Sequence, residues 1–297
     1  MLSTVNTIPL NDEGKEIVKR GREGFPCNAY VGEVQQFIGG KILPHWHNEF
    51  EMFILEEGIV QVMFSDSSYI LQAGEGYFVN SDVLHGIICN TDMPCRYRSI
   101  VFDPFIISGY KESVFEEKYI KPFVNGGAPF WIFHLSDVDR LTLVSFFDTA
   151  YYACETETYG YEFTVRDALS KTVMQLNGYP KESLIRVETM REQRLKCMLQ
   201  WIDKHYMEQI TAADIANSAG ICLRECQRTF ATVIKDTPIK YLLRKRIMEA
   251  ANLLLSSSTS IVDVCERCGF ENQSYFSKQF RLFMGVAPRE YQKNGKR

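Results

Sequence analysis

Thr211-Ala-Ala-Asp214-Ile-Ala-Asn-Ser-Ala-Gly220, continuing to Gln227-Arg228-Thr-Phe230 and Pro238-Ile-Lys-Tyr241, returns 49–50 positions later. The second copy is Ser260-Ile-Val-Asp263-Val-Cys-Glu-Arg-Cys-Gly269, Ser277-Lys278-Gln-Phe280 and Pro288-Arg-Glu-Tyr291. Asp to Gly is six residues in both copies, Phe to Pro eight, and Phe to Tyr eleven. A repeat of this length marks a duplicated structural unit. Thr211 and Ser260 suit the cap of a helix, whose first amides lack partners, and Asp214 and Asp263 sit where a side chain bonds back to the cap. Gly220 and Gly269 follow that short helix, where a left-handed residue ends it at little cost. A second helix after a tight turn completes a helix-turn-helix.

The second helices have two faces. In the first copy Cys226, Phe230 and Val233 fall at i, i+4, i+7 and are expected inside, leaving Arg224, Gln227, Arg228 and Ala231 on another face. In the second, Phe276, Phe280 and Phe283 form the inward stripe, and Gln273, Ser274, Ser277, Lys278 and Arg281 are left outward. Arg, Gln, Ser and Lys are side chains that reach base edges and phosphates in a major groove. A helix of about 17 residues opening at Pro238 would separate the units by ~25 Å. Successive major grooves on one DNA face recur every ~34 Å, a similar span.

Upstream the pattern changes. Residues 30–102 read as short strands, 50–55, 58–64, 69–71, 76–79, 85–89 and 96–102, divided by turns such as Glu57-Gly58 and Ala73-Gly74. Such spacing predicts a sandwich or barrel. Ser136-x-x-Asp139 resembles a capping box, with Leu143, Phe146, Phe147, Ala150, Tyr151 and Cys154 at helical spacing behind it. A second helix is expected from Phe163 to Leu176, and Asn177-Gly178-Tyr179-Pro180 marks a linker.

Charge divides along the same line. Residues 190–297 hold 18 Lys and Arg against 11 Asp and Glu, a net +7, while residues 1–189 hold 15 against 26, a net −11. A basic part joined to an acidic one suggests that only the former meets a polyanion. No apolar stretch approaches the ~20 residues of a membrane span, and the first residues lack the order of a secretory signal, so a cytoplasmic location is expected. Nine cysteines, an odd number without an export signal, are expected as reduced thiols. Cys265-x-x-Cys268 and Cys222-x3-Cys226 read as packing residues, and His134 and His205 as isolated.

Residues 195–293 resemble the DNA-binding domain of the AraC/XylS family of bacterial transcription regulators. Arg244-Lys-Arg246-Ile-Met-Glu-Ala250 resembles the family's linker helix, and Ser260 to Arg281 its second helix-turn-helix. The resemblance places base readers at Arg224, Gln227 and Arg228 and at Gln273, Ser274, Ser277 and Lys278. One departure is Cys222, where the family usually has a capping Ser; a thiol caps poorly.

His45-Trp-His47-Asn-Glu-Phe-Glu51 opens the strand region and His85 closes it. In an extended segment His45 and His47 share a face, and Glu51 and His85 can join them from later strands. Such a set suits Fe, Mn, Ni or Zn. It also suits the polar lining of an effector pocket or a self-satisfied network. The spacing resembles the cupin motifs, with Asn80 and Ser81 where a Pro is usual. Sensor domains of AraC-like regulators commonly carry this form without metal.

The expected architecture is α+β and multidomain: a cupin-like effector-sensing barrel over 1–136, a helical dimerisation segment and linker over 137–180, and an all-α double helix-turn-helix over 190–297. The expected function is sequence-specific regulation of transcription by a small-molecule effector, which the family resemblance implies is a sugar or related metabolite, without catalysis and without a resident cofactor. Expected partners are double-stranded DNA, the effector, a second copy of the chain and RNA polymerase, with no membrane. The alternative is a metal-dependent cupin enzyme or metal sensor fused to a DNA-binding domain; a thiol redox sensor is a third reading.

Overall fold

The computed structural model describes residues 21, 24–37, 39–64, 67–91, 93–178, 189–256 and 259–294. They fall into two compact units, one on each side of residue 188.

The first unit is two antiparallel sheets. Strands β1 (Cys27–Glu33), β2 (Lys41–His45), β3 (Phe50–Leu55), β4 (Ile59–Phe64), β5 (Ser67–Gln72), β6 (Gly76–Val79), β7 (His85–Ile88), β8 (Arg96–Phe102) and β9 (Phe130–Phe133) assort as β1-β8-β3-β6-β9 and β2-β7-β4-β5. All six residues of β3 are buried, so the strand is covered on both faces and reads as a nearly unbroken apolar run. Alternation divides them. Phe50, Met52 and Ile54 join a core with α2 (Lys121–Gly126), α3 (Arg140–Thr156) and α4 (Tyr161–Asn177). Phe53 and Leu55 join the core between the sheets, with Val62, Phe64, Tyr77 and Ile87. Glu51 therefore points into the barrel among apolar neighbours. That placement raises the question of what stabilises it.

Strands β3, β6 and β8 have the predicted bounds, and β4, β5 and β7 differ by a residue or two. Strands β1, β2 and β9, with the short helices α1 (Phe105–Ser108) and α2, were not predicted. The expected capping box at Ser136 and Asp139 does not form. Helix α3 starts only at Arg140, its cap Asp139 makes no side-chain cap bond, and the Asp137 carboxylate instead accepts from the His134 amide at 2.7 Å. The aspartate one position into the expected helix is already engaged in a turn, which delays the start. Helices α3 and α4 pack into the same core as the five-stranded sheet.

The second unit is helical: α5 (Met190–His205), α6 (Ala212–Ser218), α7 (Leu223–Thr229) with a wider turn to Ile234, α8 (Pro238–Ser256), α9 (Ile261–Arg267), α10 (Gln273–Met284) and α11 (Pro288–Asn294). The two copies fold alike. Thr211 and Asp214 close a full capping box, whereas Ser260 accepts from the Asp263 amide at 3.1 Å and donates to its carboxylate at 2.7 Å. The Phe-to-Tyr interval becomes the same contact twice: Phe230 meets Tyr241 at 5.9 Å and Phe280 meets Tyr291 at 5.5 Å, both with rings inclined by 72°. Edge-to-face packing of this kind pins the helix after each unit to the second helix within it.

Candidate functional site

Helix α7 buries Cys226, and Phe230 follows it into the core; α10 buries Phe276 and Phe280. The opposite faces are open. Arg224, Gln227, Arg228, Gln273, Ser274 and Lys278 are exposed, Ser277 is half-buried, and Arg281 extends the second face. Phe283, expected inside, is only half-buried, under the Arg244 guanidinium at 5.7 Å. Both glycines adopt the left-handed backbone the repeat implied, at φ +64 for Gly220 and +76 for Gly269.

The starts of the two helices differ. The Asn272 side chain accepts from the Tyr275 amide at 2.9 Å and caps α10, a signal the sequence reading passed over. Cys222 occupies the same place before α7 and makes no side-chain cap bond. Nearby charge is partly committed elsewhere. Arg244 is buried against Asp236 at 3.1 Å, Lys245 is buried against Asp203 and Glu249, and Arg246 donates to the carbonyls of Tyr206 and Glu208. The basic run in α8 thus holds the unit together, and α7 and α10 are left to present positive charge outward.

In the first unit the structure gathers His45, His47, Glu51 and His85, all buried, with one ligand atom from each within 4.8 Å of the others. His45 and His85 are direct cross-strand partners on β2 and β7, their rings 4.4 Å apart. Each imidazole Nδ1 faces a backbone carbonyl: Leu43 at 2.9 Å for His45, Glu49 at 3.0 Å for His47 and Val83 at 2.8 Å for His85. A carbonyl oxygen only accepts, so Nδ1 carries a hydrogen in all three rings, and in His47 and His85 the atom left to face the carboxylate is Nε2. His47 Nε2 and His85 Nε2 lie 3.3 and 3.2 Å from the same Glu51 Oε2. Each approach is favourable with a proton or a cation between Nε2 and the carboxylate, since an Nε2 without either would face it with a lone pair.

Burial alone would push the Glu51 carboxyl up, but hydrogen bonds and charge from His47 and His85 hold it well below the usual carboxylate range. Burial, with His85 and His47 alongside, pushes His45 well below the usual imidazole range. Tyr77, on β6, donates to Glu51 Oε1 at 3.2 Å, a member of the cluster that sequence reasoning missed. Asn80 is buried and bonds the carbonyls of Phe123 and Ala128, so it fixes the turn after β6. Three imidazoles oriented through Nδ1 plus one carboxylate match a first-row metal site and its supporting bonds.

A cavity of about 580 Å³ lies in the same unit, lined by Tyr69, Phe130, Trp131, Asp137, Asp139 and Arg140 among others, and by none of the four cluster residues. It was not legible in the sequence, because β9 and the delayed start of α3 build its wall.

Two family models match the chain: an AraC-like ligand binding domain over residues 32–137 and a helix-turn-helix domain over residues 215–294. The HTH-type transcriptional regulator YdeC of Bacillus subtilis (strain 168) is 27% identical over 94% of this chain and 96% of its own length. The HTH-type transcriptional activator RhaS of Enterobacter sp. (strain 638) is 27% identical over 90% of this chain and 93% of its own. The crystal structure of ToxT from Vibrio cholerae O395 matches 92% of this chain and 98% of that one at 16% identity and a TM-score of 0.43. Among the described residues no helix is long and apolar enough to cross a membrane. With a sensor-type sheet unit ahead of a duplicated helix-turn-helix unit, each matched by its own family model, the chain belongs to the AraC family of transcription regulators.

Proposed function

We propose that α7 and α10 enter successive major grooves of one operator, with Arg224, Gln227 and Arg228 reading one half and Gln273, Ser274, Ser277 and Lys278 the other. The observation that carries this reading is the pair of exposed polar faces on equivalent helices of the repeat. Helix α8, at 19 residues, spans about 28 Å between the units it joins. In vitro selection of duplexes by the whole chain tests the proposal. It predicts two conserved elements about one helical turn apart; a single short element would contradict it.

The 580 Å³ cavity supports a small-molecule effector in the first unit. Its aromatic faces with Asp137, Asp139 and Arg140 suit a sugar or related metabolite, whose C–H faces stack while its hydroxyls bond carboxylates. Exposed Leu141, Tyr152, Phe163 and Met174 on α3 and α4 support pairing of two copies there. The effector then acts by binding one arrangement of the dimer more tightly than another. On this reading the protein works beside DNA in the cytoplasm, regulates initiation by RNA polymerase, and catalyses nothing. Melting in the presence of metabolite pools tests the effector, because a ligand of the native state raises the midpoint.

A second reading, that the His cluster holds a divalent metal, is favoured by the two Nε2 atoms that converge on Glu51 Oε2. A metal would be bound by Nε2 of His45, His47 and His85 and by Glu51. Elemental analysis of protein purified without added metal tests it. Stoichiometric iron, manganese, nickel or zinc, lost in His47→Ala, supports a metal sensor, and its absence leaves an effector-only sensor.

A further inference from the structure

Cys89, just past β7, and Cys95, just before β8, bring their Sγ atoms to 3.0 Å. That is closer than two unbonded sulfurs rest and about 1 Å longer than a disulfide. The pair is held from several sides. Gln35 places Nε2 3.1 Å from Cys89 Sγ and accepts the Cys95 amide at 3.0 Å. Cys95 Sγ lies 3.3 Å from the Ile59 carbonyl, and Thr91 Oγ1 lies 3.6 Å from Cys89 Sγ. Cys89 is half-buried and Cys95 is enclosed in the core between the sheets. The other close pair, Cys27 and Cys154, is 3.9 Å apart with both residues buried. Among the described residues only the Cys89–Cys95 pair therefore combines near-bonding distance with access from solvent.

We propose that Cys89 and Cys95 form a reversible disulfide when the protein meets a hydroperoxide. Cys89 loses its proton to water, and its thiolate attacks the outer peroxide oxygen. The O–O bond breaks, leaving a sulfenic acid, and the released alkoxide or hydroxide takes up a proton. Cys95 sulfur then attacks the Cys89 sulfur: the S–S bond forms, the S–O bond breaks, and the hydroxide leaves as water with the Cys95 proton. Two thiols and one hydroperoxide thus give one disulfide, one alcohol or water, and one water, a two-electron exchange. A small thiol reverses it by thiol–disulfide exchange. The bridge would join the end of β7, the strand that carries His85, to the start of β8 in the other sheet. The proposal rests on sulfur geometry alone and stands whether or not the cluster binds metal.

The test uses the reduced full chain, treated with increasing hydrogen peroxide, quenched with an alkylating reagent and digested for mass spectrometry. The expected product is a Cys89–Cys95 cross-linked peptide, two hydrogens lighter. It should form before Cys27 or Cys154 loses its thiol, vanish with dithiothreitol, and be accompanied by slower hydrogen exchange in β7 and β8. In Cys95→Ser, a sulfenic acid at Cys89 should accumulate and react with dimedone. Alkylation of both Cys89 and Cys95 after the exposed Cys222 is oxidised would overturn the proposal. So would a cross-link that forms at Cys27–Cys154 instead, and the wild-type result decides even if the variant fails to fold.

Discussion

Gly220 and Gly269 close equivalent helices at nearly the same left-handed backbone, yet their surroundings differ, and that contrast yields a quantitative prediction. A methyl group on Gly220 meets nothing within 4 Å. One on Gly269 would lie 2.7 Å from the Tyr206 carbonyl oxygen and 2.8 Å from that of Met207. Neither neighbour is easily displaced: Arg246 Nε donates to the Tyr206 carbonyl at 2.7 Å, and Gln209 Nε2 donates to the Gly269 carbonyl at 3.1 Å. Gly220→Ala should therefore cost only the left-handed strain, about 1–2 kcal/mol. Gly269→Ala carries the same strain plus overpacking of about 1–3 kcal/mol, for a total of roughly 2–5 kcal/mol. Urea denaturation of the two full-length variants measures the difference. Asparagine, which tolerates this backbone, should recover part of the loss at position 220 and little at 269. Equal losses in the two alanine variants would refute the reasoning.

Other outcomes follow from the same geometry. Cys222→Ser supplies the missing cap of α7 and should raise stability by about 0.5–1 kcal/mol, read from the urea midpoint; a loss would mean the thiol packs better than it caps. In metal-free protein, the folded state holds His45 neutral whereas the unfolded chain protonates it, so the unfolded state binds more protons as pH falls below about 6.5 and stability declines there. The depressed Glu51 adds stability that is present above the usual carboxylate range and lost on acidification through its folded value. Urea midpoints should accordingly fall between about pH 7.5 and pH 5.5, and a flat or rising profile contradicts the cluster as described.

The helical unit was largely legible because its signals are local. Cap, glycine and aromatic intervals recur in the chain, and each became a bond or ring contact. The sheet unit was legible where strands are apolar on both faces, as at residues 50–55, and obscure where they are short or broken. Pro44 interrupts β2, and β9 is four residues long. The four His and Glu residues were found because their types are rare and their spacing suits a strand. Tyr77 was not, since a tyrosine within an apolar run looks like core until its hydroxyl is seen beside Glu51. The Cys89 and Cys95 pair could not be read either, because their meeting depends on how the β7–β8 turn folds over Gln35.

The central claim is that two equivalent polar helix faces read DNA together. Fluorescence anisotropy with one selected duplex and one unrelated duplex, at fixed salt, tests it on wild type, Arg228→Ala and Lys278→Ala. Each substitution should weaken the selected duplex by about 1–3 kcal/mol, and the unrelated duplex by less. Unchanged affinity for the selected duplex in both variants would contradict the assignment of these faces.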